Sequence, residues 1–442
     1  MNRRLLKGIV ILAALCPAIA YLQAASTEKA EEKTITIGEA AQNAVKQSQL
    51  TVSGSSPFHL KATVTNTANP GSDYKATIEE SWLSPQNWRR TIESPGFSQV
   101  IVVDVDKVSE TDHGDYYPFW LHDMVTAVFD PLPMAQQLQS FKGTVTLPTD
   151  SASSYSCLNF AVTSGAPPAR TKIAYAFCFR GKDGLVQAVV TPGYKAQFED
   201  YQLFKGKKVA RRIVADMAPD VRLEARVTAL DENVVTDRAL FTVDQPTPPA
   251  AQLKSQQVGE ATARSIAVTA PDITWPAVRE GKTSGIISVY VSADKMGRVR
   301  EVWPIASDNP ELTPAAIQQV MQWRFQPYVN GVPMQMETIL TFAFTAAKGA
   351  PIPLLSNAEA RKLASHVVEP RVPRGKAKPG TSFTLRIRVD EQGKLVRVLN
   401  PKGALSELYQ AGEKALQQWR FRPYMHNGKP DLFDADIEFK VR

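Results

Sequence analysis

The sequence predicts an α+β protein: an N-terminal antiparallel curved sheet or half-barrel with helices, followed by two small αβ domains. Three observations carry this. From Phe58 to about Val243 apolar and polar residues alternate with period two, as in half-buried strands. Gln245-Pro246-Thr247-Pro248-Pro249 then ends the pattern with a stiff, extended stretch. Beyond it the chain repeats itself. Asp294-Lys295-Met296-Gly297 returns as Asp390-Glu391-Gln392-Gly393, and Trp323-Arg324-Phe325-Gln326-Pro327-Tyr328 returns as Trp419-Arg420-Phe421-Arg422-Pro423-Tyr424, both 96 positions later. A shared spacing over two separate motifs marks a tandem duplication.

The elements follow in order. Gly38–Leu50 has helix-forming composition, with Ala40, Ala41, Ala44 and Val45 on one side. His59–Thr65, Lys75–Trp82 and Asn87–Ile92 alternate, and Val100–Val105 is a β-branched run. Asn69-Pro70-Gly71, Ser84-Pro85 and Ser94-Pro95-Gly96 are the turns between them. Asp115–Leu132 is an aromatic, helical interruption, and strands resume at Gly143–Leu147. The strand-rich domain therefore covers about 35–245, with 246–270 as a linker.

The repeats lie at 271–346 and 367–442, separated by a second linker, 347–366, that carries Pro351 and Pro353 and a short helix at Ser356–Ser365. Each reads β-β-α-β. The first has strands at Gly285–Val291 and Val299–Pro304, a helix capped by Thr313 with Pro314 in its first turn, an Asn330-Gly331 turn and a last strand at Glu337–Phe344. The second has strands at Phe383–Val389 and Lys394–Leu399, a helix near Ser406–Gln418, an Asn427-Gly428 turn and a last strand at Asp434–Val441. Each is a short antiparallel sheet with a helix on one face. Trp323 and Trp419 read as core anchors, and Arg324 and Arg420 as residues over the sheet that pair with a carboxylate or a carbonyl. Gly297 and Gly393 read as turn glycines at positive φ.

Arg3, Arg4 and Lys7 followed by an apolar run from Gly8 to about Tyr21 and an Ala18-Ile19-Ala20 site make residues 1–24 a signal peptide, with an uncleaved inner-membrane anchor as the alternative. The expected compartment is the periplasm. Those three cations supply part of the net charge of +7, and the remainder is too mild to argue for nucleic acid. Cleavage leaves two of the three cysteines, Cys157 and Cys178, and an even pair in an exported chain reads as a disulfide. Two buried thiols are the alternative; a metal site lacks ligands.

The turn with Asp-x-x-Gly, the helix ending in Trp-Arg-Phe-x-Pro, the Asn-Gly turn and the final strand resemble the TonB C-terminal domain. The resemblance covers both repeats, roughly a third of the chain. It implies that function resides in backbone: an open sheet edge recruits an extended peptide of an envelope or outer-membrane protein by β-augmentation. The edge candidates are Glu337, Ile339 and Thr341 in the first repeat and Asp434, Asp436 and Glu438 in the second. Departures from TonB-like energy transducers are large. The leader has no His, and a folded domain stands where those proteins have a long Pro-Lys/Pro-Glu spacer. Energy transduction to outer-membrane transporters is the least favoured reading.

In the N-terminal half, Trp82-Leu83-Ser84-Pro85-Gln86-Asn87-Trp88-Arg89 and Gln197-Phe198-Glu199-Asp200-Tyr201 followed by a Gly-Lys turn resemble the LolA/LolB lipoprotein-carrier fold. That resemblance implies an incomplete barrel with an apolar cavity for acyl chains, with Trp82, Trp88, Phe97, Trp120 and Phe129 as its candidate lining. The alternative is a plain core filled by the same aromatics.

Catalytic grammar is missing. The sequence has no G-x-S-x-G, H-E-x-x-H, P-loop or G-x-G-x-x-G. The five histidines stand singly, and His113 beside Asp112 and Asp115 reads as a surface turn. Neighbouring carboxylates such as Glu79-Glu80 point to opposite faces of a strand. No enzyme activity, cofactor or metal is expected. The leading reading is an exported envelope interaction protein; the alternative is a periplasmic lipid or lipoprotein carrier.

Overall fold

A computed structural model describes residues 32–132, 138, 143–148, 155–165, 169–181, 183–193, 195–218, 220–232, 238–326, 328–329, 332–372, 377–399 and 407–441. The leader with Cys16 and the Asn330-Gly331 turn lie outside these residues. The fold class is as expected: strands dominate, with one large curved antiparallel sheet and small αβ units in the C-terminal half. The chain divides into two compact units. The first holds residues 1–273, 286–307 and 313–343; the second holds 274–285, 308–312 and 344–442. The first repeat thus contributes segments to both.

In the first unit, α1 (Ile37–Ser48) follows strand β1 (Glu32–Thr36), which pairs with β7 (Thr144–Pro148). A capping box starts α1: Glu39 N–H donates to Thr36 Oγ1 at 3.2 Å, and Thr36 N–H donates to the Glu39 carboxylate at 2.8 Å. The large sheet is built from β2 (Phe58–Asn66), β3 (Lys75–Ser84), β4 (Asn87–Ser94), β5 (Phe97–Asp104), β6 (Lys107–His113), β8 (Tyr155–Ser164), β9 (Thr171–Arg180), β10 (Leu185–Val190), β11 (Lys195–Phe204), β12 (Lys207–Ala218) and β13 (Val221–Asp231). Its eleven strands run in the order β6-β5-β4-β3-β2-β13-β12-β11-β10-β9-β8. Alternation decides its buried face: Phe58, Leu60, Ala62 and Val64 of β2 point into the core, while Lys61 and Thr65 are exposed. Onto that face pack Ile37, Ala40, Ala41 and Ala44 of α1 and the apolar residues of α2 (Phe119–Phe129). Helix α2 is shorter than the interruption expected at Asp115–Leu132, because Pro118 sets its start. Cys157 and Cys178 lie directly opposite each other in β8 and β9 and form the disulfide.

Two four-stranded sheets follow with one design. The first runs Ser255–Gln257, Gln335–Thr345, Ser284–Ala293, Val299–Ser307; the second runs Leu354–Leu355, Phe433–Lys440, Ser382–Val389, Leu395–Leu399. The repeated motifs are physically coupled. Asp294 Oδ1 accepts the Met296 and Arg298 N–H groups at 2.9 and 3.0 Å, and Asp390 Oδ1 accepts those of Gln392 and Lys394 at 3.0 and 2.7 Å. Gly297 and Gly393 close these turns at φ +75° and +81°, and their carbonyls accept the N–H groups of Phe325 and Phe421. A Cβ at either glycine would stand 1.8 Å from the Phe325 oxygen or 2.2 Å from the Phe421 oxygen. The Asp-x-x-Gly turn and the Trp-Arg-Phe strand therefore come as a pair. Arg324 and Arg420 are exposed and donate to the carbonyls of Trp323 and Trp419. Thr313 does not cap its helix. A 3-10 turn at Pro310–Leu312 precedes it, opened by Asn309 Oδ1, and the Thr313 hydroxyl is buried with no hydrogen-bond partner among the described residues.

Candidate functional site: the edges of the small sheets

The last strand of each repeat was the expected docking edge. In the structure each outer edge is already paired by the chain itself. Ser255–Gln257 runs parallel to the first last strand, with Gln257 opposite Glu337. Val258 N–H donates to Glu337 O at 2.9 Å, Thr341 N–H donates to Glu260 Oε1 at 3.0 Å, and Arg264 Nη2 donates to Thr341 O at 3.0 Å. The second sheet repeats this 97 positions on. Leu354 lies opposite Asp434, Glu438 N–H donates to Asn357 Oδ1 at 3.2 Å, and Arg361 Nη2 donates to Glu438 O at 2.8 Å. In both, the arginine also lies over the core rings: Arg264 over Trp323 and Phe342, Arg361 over Trp419 and Phe439. The stretches expected as linkers thus supply a strand and a helix, Glu260–Ser265 or Asn357–Leu363, to each sheet. The sequence held the signal: Ala261-Thr262-Ala263-Arg264-Ser265-Ile266-Ala267 is echoed by Ala358-Glu359-Ala360-Arg361-Lys362-Leu363-Ala364.

The six edge candidates separate into two environments. In the first sheet Glu337 and Thr341 are buried and Ile339 half-buried. Glu337 accepts hydrogen bonds from Tyr290 and Ser255. Close by in the same unit, Glu301 accepts from Tyr116, Trp303 Nε1 and Phe119 N–H at 2.9, 2.9 and 2.8 Å, and Phe119 stacks on Tyr290 at 4.3 Å. Burial pushes the Glu301 carboxyl above its usual range. It pushes Asp123 on α2 well above, reinforced by the charges of Glu337 and Glu301. In the second sheet Asp434 and Asp436 are half-buried and Glu438 exposed. Arg388 binds Asp434 with two bonds of 2.7 Å and also binds Glu280; Arg386 binds Asp436 at 2.7 and 2.8 Å. The Arg388 bond holds the Glu280 carboxyl below its usual range, and Arg386 does the same for Asp436.

The opposite edges differ. Val299–Ser307 buries Val299 and Trp303 and is engaged by residues 116–119 through Glu301. Leu395–Leu399 ends its sheet with Val396 56% exposed, and among the described residues no strand pairs with its outer side.

Trp82, Phe97, Trp120 and Phe129 are buried in one continuous core, with Trp88 packed against it. Phe58 stacks on Trp82 at 5.5 Å, Phe97 on Tyr117 at 4.8 Å, and the Arg90 guanidinium lies 4.1 Å over Phe129 while bonded to buried Glu80. Trp82, Phe97 and Phe129 thus pack against other side chains of that core.

Residues 275–346 match the family model of the Gram-negative bacterial TonB protein C-terminal. The first small sheet is thus similar to a TonB C-terminal domain over those residues. Its match includes the Asp294–Gly297 turn and the Trp323-Arg324-Phe325 strand but not the covering segment before it. No curated protein matches the chain. Solved structures similar to it include a LolA superfamily protein from Nitrosomonas europaea, at 9% identity over 48% of this chain and 99% of that one, TM-score 0.26. A putative outer membrane lipoprotein-sorting protein domain from Vibrio parahaemolyticus follows at 7% identity, 46% and 95% coverage, TM-score 0.25. A DUF1329 family protein from Desulfovibrio piger has 10% identity, 47% and 97% coverage, TM-score 0.25. Among the described residues no helix is long and apolar enough to cross a membrane.

Proposed function

We propose that the protein is an exported envelope interaction protein that takes an extended peptide of a partner by β-augmentation, along Leu395–Leu399 of the second small sheet. The TonB C-terminal domain supports envelope protein interaction as the general role. The exposed outer side of Leu395–Leu399 carries the choice of strand, because a row of unpaired backbone groups is a template for another strand. On this reading the domains are 35–245, 271–346 and 367–442, each small sheet extended by its covering segment, and the leader at 1–24 delivers the chain to the periplasm.

The test is a photo-reactive amino acid placed at Val396, and separately at Glu438, in the full chain expressed in a Gram-negative periplasm. An adduct with an envelope protein at Val396 and none at Glu438 is expected. Adducts at Glu438 alone would move the site to the Asp434, Asp436 and Glu438 edge, with its covering segment displaced. Adducts at neither position would overturn the proposal.

A further inference from the structure

The first small sheet has a pocket of about 160 Å³ that lies wholly within the first unit. Trp323 and Phe342 form its aromatic floor, Ala267, Ala270 and Ile273 its wall, and Arg264 and Asp272 its rim. Trp323 is only 2% exposed, yet its indole N–H has no hydrogen-bond partner among the described residues. A buried donor left unpaired is costly, so a structure that retains one leaves a demand for an acceptor.

The second sheet shows what meets that demand. Its equivalent indole, on fully buried Trp419, donates to the main-chain oxygen of Val368 at 2.8 Å, and the Val368 side chain packs against the core there. Three features around the two indoles are alike. Trp323 meets Phe342 edge-on at 5.6 Å and Trp419 meets Phe439 edge-on at 5.9 Å. Arg264 and Arg361 lie over these rings and bond the last strand. The strand after each covering helix pairs with the Trp-Arg-Phe strand in the same way, Ala267 with Phe325 and Ala364 with Phe421. The plug differs. At the 97-position spacing that relates Arg264 to Arg361, the counterpart of Val368 is Pro271, which is exposed.

We infer that this pocket is a peptide-binding site: an aliphatic residue of an extended partner segment fills it, and that residue's main-chain carbonyl accepts the Trp323 indole N–H. A neutral carbonyl suits the site better than a carboxylate. Arg264, the cation at the rim, is already bonded to Glu260 and to Thr341 O. Asp272 at the same rim offers an acceptor to a main-chain N–H of the incoming segment. The site is separate from the Leu395–Leu399 edge, and neither depends on the other.

The experiment uses the full chain with ¹⁵N-labelled tryptophan and, as probe, the blocked synthetic octapeptide Ser-His-Val-Val-Glu-Pro-Arg-Val, which reproduces residues 365–372. The expected result is a saturable shift of the Trp323 indole signal, assigned by Trp323→Phe, while the Trp419 signal stays still. The variant Ala270→Phe, which fills the pocket while leaving Trp323 in place, abolishes binding. Trp323→Phe, titrated by calorimetry, weakens it about fivefold, as the loss of one hydrogen bond predicts; an unmoved signal of Trp303, whose indole donates to Glu301 in the same sheet, reports that both variants fold. An unresponsive Trp323 at millimolar peptide, or full binding by Ala270→Phe, overturns the inference. So does a Trp323 indole already protected from solvent exchange and released on trimming residues 1–31, because the occupant would then be this chain's own leader.

Discussion

The two small sheets share a strand order, an Asp-x-x-Gly turn, a covering strand and helix, and an arginine that ties the cover to the last strand. They part at their surroundings. The last strand of the first lies beside a buried cluster of acids and tyrosines contributed partly by α2. That of the second carries Asp434 and Asp436, each bonded to an arginine. The first leaves its tryptophan N–H unpaired over a pocket; the second satisfies it with Val368. One scaffold thus serves two electrostatic settings, because the turn, the glycine contact and the aromatic floor build the sheet, while the faces and edges stay free to vary.

The sharpest way to break this comparison is to remove the two indoles. Trp419→Ala should cost about 3–5 kcal/mol, typical for a fully buried large aromatic. Trp323→Ala should cost about 1 kcal/mol less, because no hydrogen bond is lost with it. Denaturant unfolding of each variant, read by the remaining tryptophans, checks the difference; equal losses would mean the two floors are energetically alike.

Next in size is the disulfide, which belongs to the large sheet alone. Cys157→Ser with Cys178→Ser should destabilise that sheet by about 3 kcal/mol, as expected for a closed loop of this length. Hydrogen exchange should then show faster opening of β8 and β9 and unchanged protection of the second small sheet. Protection falling everywhere would show the large sheet to be the stability core of the whole chain.

Smaller still is the loss of the cover-tying arginines. Arg361→Ala and Arg264→Ala each remove one hydrogen bond to a strand carbonyl and a cation lying over aromatic rings, about 1–2 kcal/mol together. Faster amide exchange at Glu438 in the first variant and at Thr341 in the second is the readout. Retained protection at both would show that the helices hold the covering segments without them.

The mildest effect, and the one most specific to the comparison, is opposite pH dependence. Asp123 and Glu301 have raised pKa values in the folded state. Their contribution is complete below the ordinary carboxylate range near 4 and is lost as pH rises through the raised values. Glu280, Asp431 and Asp436 have lowered values. Theirs is complete above that range and is lost as pH falls through it. Acid should therefore loosen the second small sheet first, and rising pH the neighbourhood of α2. Asp123→Asn should flatten the high-pH limb; a limb that persists unchanged in that variant would assign that loss elsewhere.

Residue by residue, the sequence determined the local grammar. The period-two pattern of β2 to β5, the Cys157–Cys178 bridge and the coupled Asp294–Gly297 and Trp323–Phe325 motifs were all legible. The strand pattern is written in adjacent residues, the two motifs in a repeat, and the bridge in the even number of cysteines left after the leader, where two buried thiols were the alternative. Thr313 was misread as a cap, because capping depends on the 3-10 turn opened by Asn309 upstream. The covering strands were missed: pairings of two or three residues leave no periodicity, and a parallel partner far away in the chain is not recorded locally. Polar Glu337 and Thr341 looked like an exposed edge, yet they are buried, because their satisfaction comes from Tyr290, Ser255 and Glu260 on other elements. Alternation records which face of a strand is covered. Only the tertiary structure decides what covers it, because hydrogen bonds and burial between distant segments are properties of placement, not of neighbouring residues.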